Sequence, residues 1–215
     1  MTRPVLSWCL APLVFALFHL ALGIKLRPAE IATKQRQTAA EMERAGRYKE
    51  ARDGYQRARS TAHPGDLALR ARLDTDIART AVLSGAPLEG ARQMEQLLDT
   101  LAKQRPRLAV EEDAKATRAL GLYFAAYALR LDSPASGEWR RQAETSRRLF
   151  GELHDAAKSQ YRNGDTLFYG RNLEASILLQ RLRQAELASA PTPGPVLAAI
   201  ENGIAAQNVR FAPNP

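Results

Sequence analysis

Apolar residues recur three and four positions apart through most of the chain, as in Leu73, Ile77 and Ala81, or Leu120, Phe124, Tyr127 and Leu131. Because a helix turns by about 100° per residue, each set covers one helix face. No stretch shows convincing strand alternation. Between residues 29 and 190 the prolines are Pro64, Pro87, Pro106 and Pro134, and each sits where the periodicity breaks. Proline lacks an N–H and clashes with the preceding turn, so it begins or interrupts helices. Together with Gly46, Gly65, Gly85, Gly137 and Gly164, the prolines cut the chain into helices over 28–45, 47–62, 66–84, 88–104, 107–131, 137–162 and 165–189. The pattern predicts an all-α fold of amphipathic helices whose short connections favour antiparallel hairpins. A Pro-rich linker at 191–195 follows residues 28–190, and 196–215 hold one short helix and a tail.

One run departs from this pattern. Residues Pro4 to Ile24, PVLSWCLAPLVFALFHLALGI, carry no charge; Arg3 precedes them, and Lys25 and Arg27 follow. The run is near the roughly 20 residues that cross a bilayer as a helix and longer than the roughly 7–15 of a signal-peptide core. Ala21-Leu22-Gly23 nevertheless offers small residues at the −3 and −1 positions of a cleavage site. Residues 1–24 are thus expected to be a hydrophobic membrane-anchor helix or a signal peptide, with a buried core helix as the remaining reading. Lys25, Arg27, Lys34 and Arg36 argue for a cytoplasmic body by the positive-inside rule. The short basic head followed by an uncharged run is instead the order of an export signal. The expectation is a membrane-associated protein with its body outside the cytoplasm, periplasmic in a Gram-negative bacterium, or else cleaved and secreted.

After the leader, enough chain remains for one ordinary domain. The hydrophobic fraction of 45% and charged fraction of 25% match globular usage and exclude a disordered tail or a polytopic membrane protein. The single cysteine, Cys9, lies in the leader, so the body can form neither a disulfide nor a thiolate metal site. Trp8 stands where a lipobox needs a small residue, and Cys9 reads as apolar filler. The net charge of +8 raises anionic lipid or nucleic acid as alternative partners. Against this, Glu41, Glu43, Arg44, Arg47, Glu50, Arg52 and Asp53 alternate in sign as on a solvated helix face. Glu138 and Glu144 likewise break up Arg140-Arg141 and Arg147-Arg148.

The segment ERAGRYKEARDGYQRARSTAHPGD, residues 43–66, resembles the second half of a tetratricopeptide repeat, a 34-residue helix pair. Gly46 falls at the turn, Tyr48 and Ala51 open the second helix, Tyr55 and Ala58 follow at four- and three-residue steps, and Pro64 closes the unit. Small Ala51 and Ala58 let helices approach closely, and Tyr48 and Tyr55 fill the adjoining grooves. Ala39 and Met42 stand where the family has a small and a large apolar residue. Pro64 comes one position late, and Gln35 replaces the family's aromatic. The hairpin TAVLSGAPLEGARQMEQLLDTLA is similar in Gly85 at its turn and in Ala91, Leu98 and Leu101, although Gly46 and Gly85 are 39 residues apart. In a third pair, Leu120-Gly121 match the family's first-helix Leu-Gly. The alternative is a generic helical-hairpin domain without true repeats.

The resemblance implies a short right-handed solenoid over 28–190, with a binding surface for a peptide or partner domain on the inner faces of successive first helices. In the family's carboxylate-clamp subset, Lys, Asn and Arg on those faces hold a partner's C-terminal carboxylate. Arg36 sits at one such position, but Ala40 stands where an Asn is needed, so clamp activity is not inferred.

Candidate chemistry is sparse. His19, His63 and His154 are far apart and form no metal-ligand cluster. His154-Asp155 reads as a surface pair, and Glu111-Glu112-Asp113 as charge favoured at a helix N-terminus by the dipole. Phosphate-cradling, dinucleotide and nucleophile-elbow motifs are missing. The aromatics Tyr123, Phe124, Tyr127, Trp139, Phe150, Tyr161, Phe168 and Tyr169 read as core. The sequence therefore points to a non-enzymatic adaptor or assembly factor, without metal or cofactor, bound to another protein. A basic cytoplasm-facing module that binds anionic lipid or nucleic acid is the alternative.

Overall fold

The computed structural model describes residues 28–103 and 110–181. The leader, the Pro-rich linker and the C-terminal segment lie outside these residues. Among the described residues there are seven helices and no strand: α1 (28–44), α2 (Tyr48–Thr61), α3 (Leu67–Leu83), α4 (Pro87–Leu101), α5 (Val110–Asp132), α6 (Glu138–Ser159) and α7 (Asn163–Arg181). No helix among them is long and apolar enough to cross a membrane.

The boundaries follow from local chemistry. Gly46 and Gly85 adopt φ of +74° and +96°, a left-handed conformation that glycine reaches without Cβ strain and that commonly ends a helix. The Asp66 side chain caps α3 by accepting a 3.0 Å hydrogen bond from the Leu69 N–H. Pro87 opens α4, where a missing N–H costs nothing. Glu111, Glu112 and Asp113 occupy the first turn of α5, as the dipole argument anticipates. Tyr161 ends α6 in the left-handed region, at φ +55°, without being glycine.

From α2 to α7 each helix packs on the next, and α3 also packs directly on α5; no comparable contact joins α2 to α4 or α4 to α6. Residues Ala32 and Ala39 of α1 share a core cluster with Ala51, Tyr55 and Ala58 of α2 and Leu73 of α3. Helices α1, α3 and α5 thus run side by side, giving a helical repeat-like stack of consecutively packed helices. The central α3 is buried on most of its circumference, and its Thr75 and Thr80 hydroxyls donate back to the Ala71 and Asp76 carbonyls.

The core changes character along the stack. Around α1–α3 the fully buried apolar side chains are mostly alanines, with Tyr55 and Leu73. Around α5–α7 buried alanines are joined by nine larger side chains, Leu120, Tyr123, Trp139, Leu149, Phe150, Leu153, Phe168, Tyr169 and Leu179. A buried Leu or Phe is worth about 1.5–3 kcal/mol by transfer, whereas one methyl contributes about 0.8 kcal/mol. Hydrophobic stabilisation is therefore concentrated in the C-terminal half of the described body.

Glycine permits the closest helix crossings. A Cβ at Gly54 would lie 2.8 Å from the Ala39 Cβ, one at Gly90 would lie 2.5 Å from the Ala78 carbonyl oxygen, and one at Gly121 would lie 2.7 Å from the Pro87 carbonyl oxygen. In the α3–α4 hairpin the buried α4 residues are Gly90, Ala91, Met94 and Leu101. Ala91 and Leu101 stand out from the periodicity alone, while Leu98 is only half-buried.

Two substitutions separate packing from propensity. Gly90→Ala should destabilise by about 1–3 kcal/mol, because a backbone carbonyl cannot give way to the methyl, even though alanine is the better helix former. Gly151→Ala on α6, where nothing lies within 4 Å, should be neutral or stabilising by up to about 1 kcal/mol. Ala58→Leu, at a fully buried position, should cost about 1–3 kcal/mol by overpacking. Denaturant titrations that place Gly90→Ala and Ala58→Leu at wild-type stability would contradict the close-crossing geometry.

Candidate functional site

The most deeply buried charges lie where α1, α2 and α3 meet. Glu43 on α1 and Arg79 on α3 are each 4% exposed, and Asp76 is 1% exposed. Arg79 donates from Nε to Glu43 Oε1 and from Nη2 to Glu43 Oε2, both at 2.7 Å. Its Nη2 also lies 3.0 Å from Asp76 Oδ1. The Tyr55 hydroxyl on α2 donates to Glu43 Oε2 at 2.7 Å, and Arg36 Nε on α1 donates to Asp76 Oδ2 at 2.6 Å. Two carboxylates and two guanidiniums balance in charge, and the bidentate fork gives the directional bonding that a buried pair needs to offset desolvation.

Burial acts to raise the Glu43 pKa, but the Arg79 charge and the hydrogen bonds from Arg79 and Tyr55 outweigh it and hold the carboxyl below its ordinary value. Burial together with the two carboxylates pushes the Tyr55 phenol up. For Arg79, burial alone would weaken the cation, yet Glu43 and Asp76 raise its pKa. At neutral pH Glu43 is therefore ionised, the Tyr55 phenol neutral and Arg79 a cation.

The structure places the sequence-derived candidates as follows. Arg36 is committed to Asp76, and half-buried Ala40 packs on the alanine cluster of α1–α3. Ala51, Tyr55 and Ala58 are fully buried on α2, Tyr48 is half-buried, Gly46 makes the α1–α2 turn, and Pro64 lies exposed in the α2–α3 turn. Glu43, which the charge alternation assigns to a solvated face, is instead buried, and together with Asp76 and Arg79, which no sequence motif marks, it completes the cluster. Their signal was available in Glu43 and Arg79 falling on the same helix faces as buried alanines.

A second cluster repeats the arrangement. Glu112 on α5 accepts from Arg162 Nη1 at 2.9 Å and from the Tyr169 hydroxyl at 2.8 Å. Arg162 also bonds Asp165 at 2.7 Å. The acidic triplet of α5 thus contributes a structural clasp. His154 Nδ1 lies 3.0 Å from the Thr166 carbonyl oxygen, which ties α6 to α7. Trp139 is flanked by the guanidiniums of Arg130 at 4.5 Å and Arg140 at 5.2 Å from its ring. Of the aromatics read as core, Tyr123, Trp139, Phe150, Phe168 and Tyr169 are buried, but Tyr161 is 90% exposed.

A groove of about 400 Å³ opens between α2 and α4 over α3, lined by Arg59, Asp74, Ile77, Gln93, Met94 and Leu97, with Gln96 and Thr100 at its exposed rim. Asp74 and Ile77 precede Asp76 and Arg79 by two residues each, about 200° around the helix. The groove therefore faces away from the ionic cluster. Arg59 Nε bonds Asp74 at 2.7 Å, so the lining is charge-balanced above an apolar floor of Ile77, Met94 and Leu97. No group of three or more metal-ligating side chains occurs among the described residues. No protein-family model, curated protein or solved structure matches the chain. The class that can be stated is a helical repeat-like all-α protein.

Arg79→Met leaves two carboxylates buried with one counter-charge fewer and should destabilise by about 3–5 kcal/mol. Tyr55→Phe should cost about 1.5–3 kcal/mol, the range for a hydrogen bond to a charged group. Since the Glu43 pKa is depressed in the folded state, its contribution is present above the unfolded value of 4.5 and lost as pH falls through the lower folded value. Wild type should therefore lose more stability on acidification below 4.5 than Glu43→Gln does, as urea titrations across that range would show. Parallel pH profiles would contradict the assignment.

Proposed function

We propose that the protein is a non-enzymatic adaptor or assembly factor of the tetratricopeptide kind, carried to or across a membrane by residues 4–24, whose body grips a segment of another protein. The groove between α2 and α4 carries the reading: an apolar floor under a charge-balanced rim suits an uncharged or weakly charged peptide segment. Arg36, Glu43, Asp76 and Arg79 are bonded to one another, which makes the groove a better docking side than the α1 face that bears Arg36. The alternative reading, a basic module for anionic lipid or nucleic acid, has less support. The densest exposed basic residues, Arg140, Arg141 and Arg148 of α6, alternate with Glu138, Glu144 and Glu152 on the same helix, where Arg147 pairs with Glu144 and Arg148 with Glu152.

A displayed peptide library selected against the full chain tests the reading. Selected peptides should lose at least tenfold in affinity when Gln96→Arg or Thr100→Arg fills the rim. Their binding should change little between about 50 and 200 mM salt, whereas phosphate-polymer binding weakens steeply over that range. Peptides indifferent to both rim variants, or salt-sensitive binding to duplex DNA or anionic vesicles in their place, would favour the alternative.

The membrane role is checked separately. Deleting residues 1–24 should abolish membrane association, and a reporter fused after Pro215 should be active only outside the cytoplasm. A truncated body that stays on membranes in high salt, or a cytoplasm-active reporter, would overturn this part.

A further inference from the structure

The first hairpin is fastened to the rest of the stack in an unusual way. Four ion pairs cross from α1–α2 to α3–α4: Arg36 with Asp76, Glu43 with Arg79, Arg52 with Glu89 and Arg59 with Asp74. Between α3–α4 and α5–α6 one pair crosses among the described residues, Arg118 with Glu95. The apolar side of the first junction is built mostly of small residues, with Leu73 buried and Met42, Leu69 and Ile77 half-buried against them. On α1 the buried residues are Ala32, Ala39 and Glu43, and on α2 they are Ala51, Gly54, Tyr55 and Ala58. Within the hairpin, by contrast, packing is close, with Gly54 admitting the Ala39 methyl.

In a repeat-like stack, stability is approximately a sum of each unit and its interfaces with neighbours, and the weakest junction opens first. A junction held by buried charge is also steep in its response: intact, each carboxylate faces a guanidinium, and with one partner lost the remaining charges are left without compensation. The α2–α3 turn, where Pro64 and Gly65 lie exposed, gives the hairpin a pivot.

We propose that α1–α2 undocks from α3–α4 as one unit while α3–α7 remain folded, with the Glu43–Arg79–Asp76–Arg36 cluster as its fastening. Undocking exposes the Asp76 and Arg79 side of α3, opposite the groove. The body then has a closed and an open state set by the first hairpin, which is also the element nearest the leader in sequence.

Hydrogen–deuterium exchange on the full chain, read by mass spectrometry with increasing sub-denaturing urea, tests this. In wild type, peptides from residues 28–61 should exchange together and at lower urea than peptides from α5 and α6. Glu43→Gln should speed exchange in 28–61 at least tenfold and leave α5 and α6 within about twofold of wild type. Should Glu43→Gln fail to fold, the wild-type urea series decides alone. Simultaneous exchange of all seven helices in wild type, or a Glu43→Gln effect spread equally over α1 to α6, would overturn the proposal.

Discussion

The contact between Glu43 and Arg79 governs how the first half of this body is assembled. An isolated carboxylate or guanidinium at that depth would cost several kcal/mol in desolvation, so the pair exists only because each group supplies the other's bonds, with Tyr55, Asp76 and Arg36 completing them. The directional demand of these bonds fixes the rotation of α1 and α2 on α3 more sharply than alanine contacts can. Alanines permit sliding; a bidentate fork does not. The groove inherits this geometry, because turning Asp76 and Arg79 toward α1 turns Asp74 and Ile77 toward the space between α2 and α4.

The second clasp, Glu112 with Arg162 and Tyr169, uses the same three residue types in a different setting. There the carboxylate is partly exposed and the neighbouring core contains Phe150, Leu153 and Phe168, so packing rather than charge carries the α5–α7 region. The stack thus has an ionic, alanine-lined end and an aromatic end. In both clasps acids, bases and phenols serve structure.

Much of this architecture was legible in the sequence. Proline and glycine positions together with three- and four-residue periodicity gave helix boundaries close to those observed, since Gly46, Gly85 and Pro87 act locally and need no tertiary information. Ala51, Tyr55 and Ala58 were legible as a close-packed face for the same reason. For the ionic cluster, the shared faces of Glu43 and Arg79 with alanines hint at burial, but the pairing itself has no linear signal, because the two are 36 residues apart. Leu120-Gly121 was legible only through the repeat resemblance, and Gly54 and Gly90 have no local signature at all: the need for glycine at these positions arises from atoms of another helix, which local spacing does not reveal. The groove depends on three helices meeting and has no linear signature. Tyr161 went the other way, an aromatic that periodicity assigns to the core and the α6–α7 turn places in solvent.

The measurement closest to the central claim is a double-mutant cycle on the buried pair, with Glu43→Gln, Arg79→Gln and both together compared with wild type by urea denaturation. If the pair organises the junction, the two changes should be strongly non-additive, with a coupling of about 2–3 kcal/mol. Effects that add to within about 0.5 kcal/mol would show that the two side chains act independently and would contradict the account.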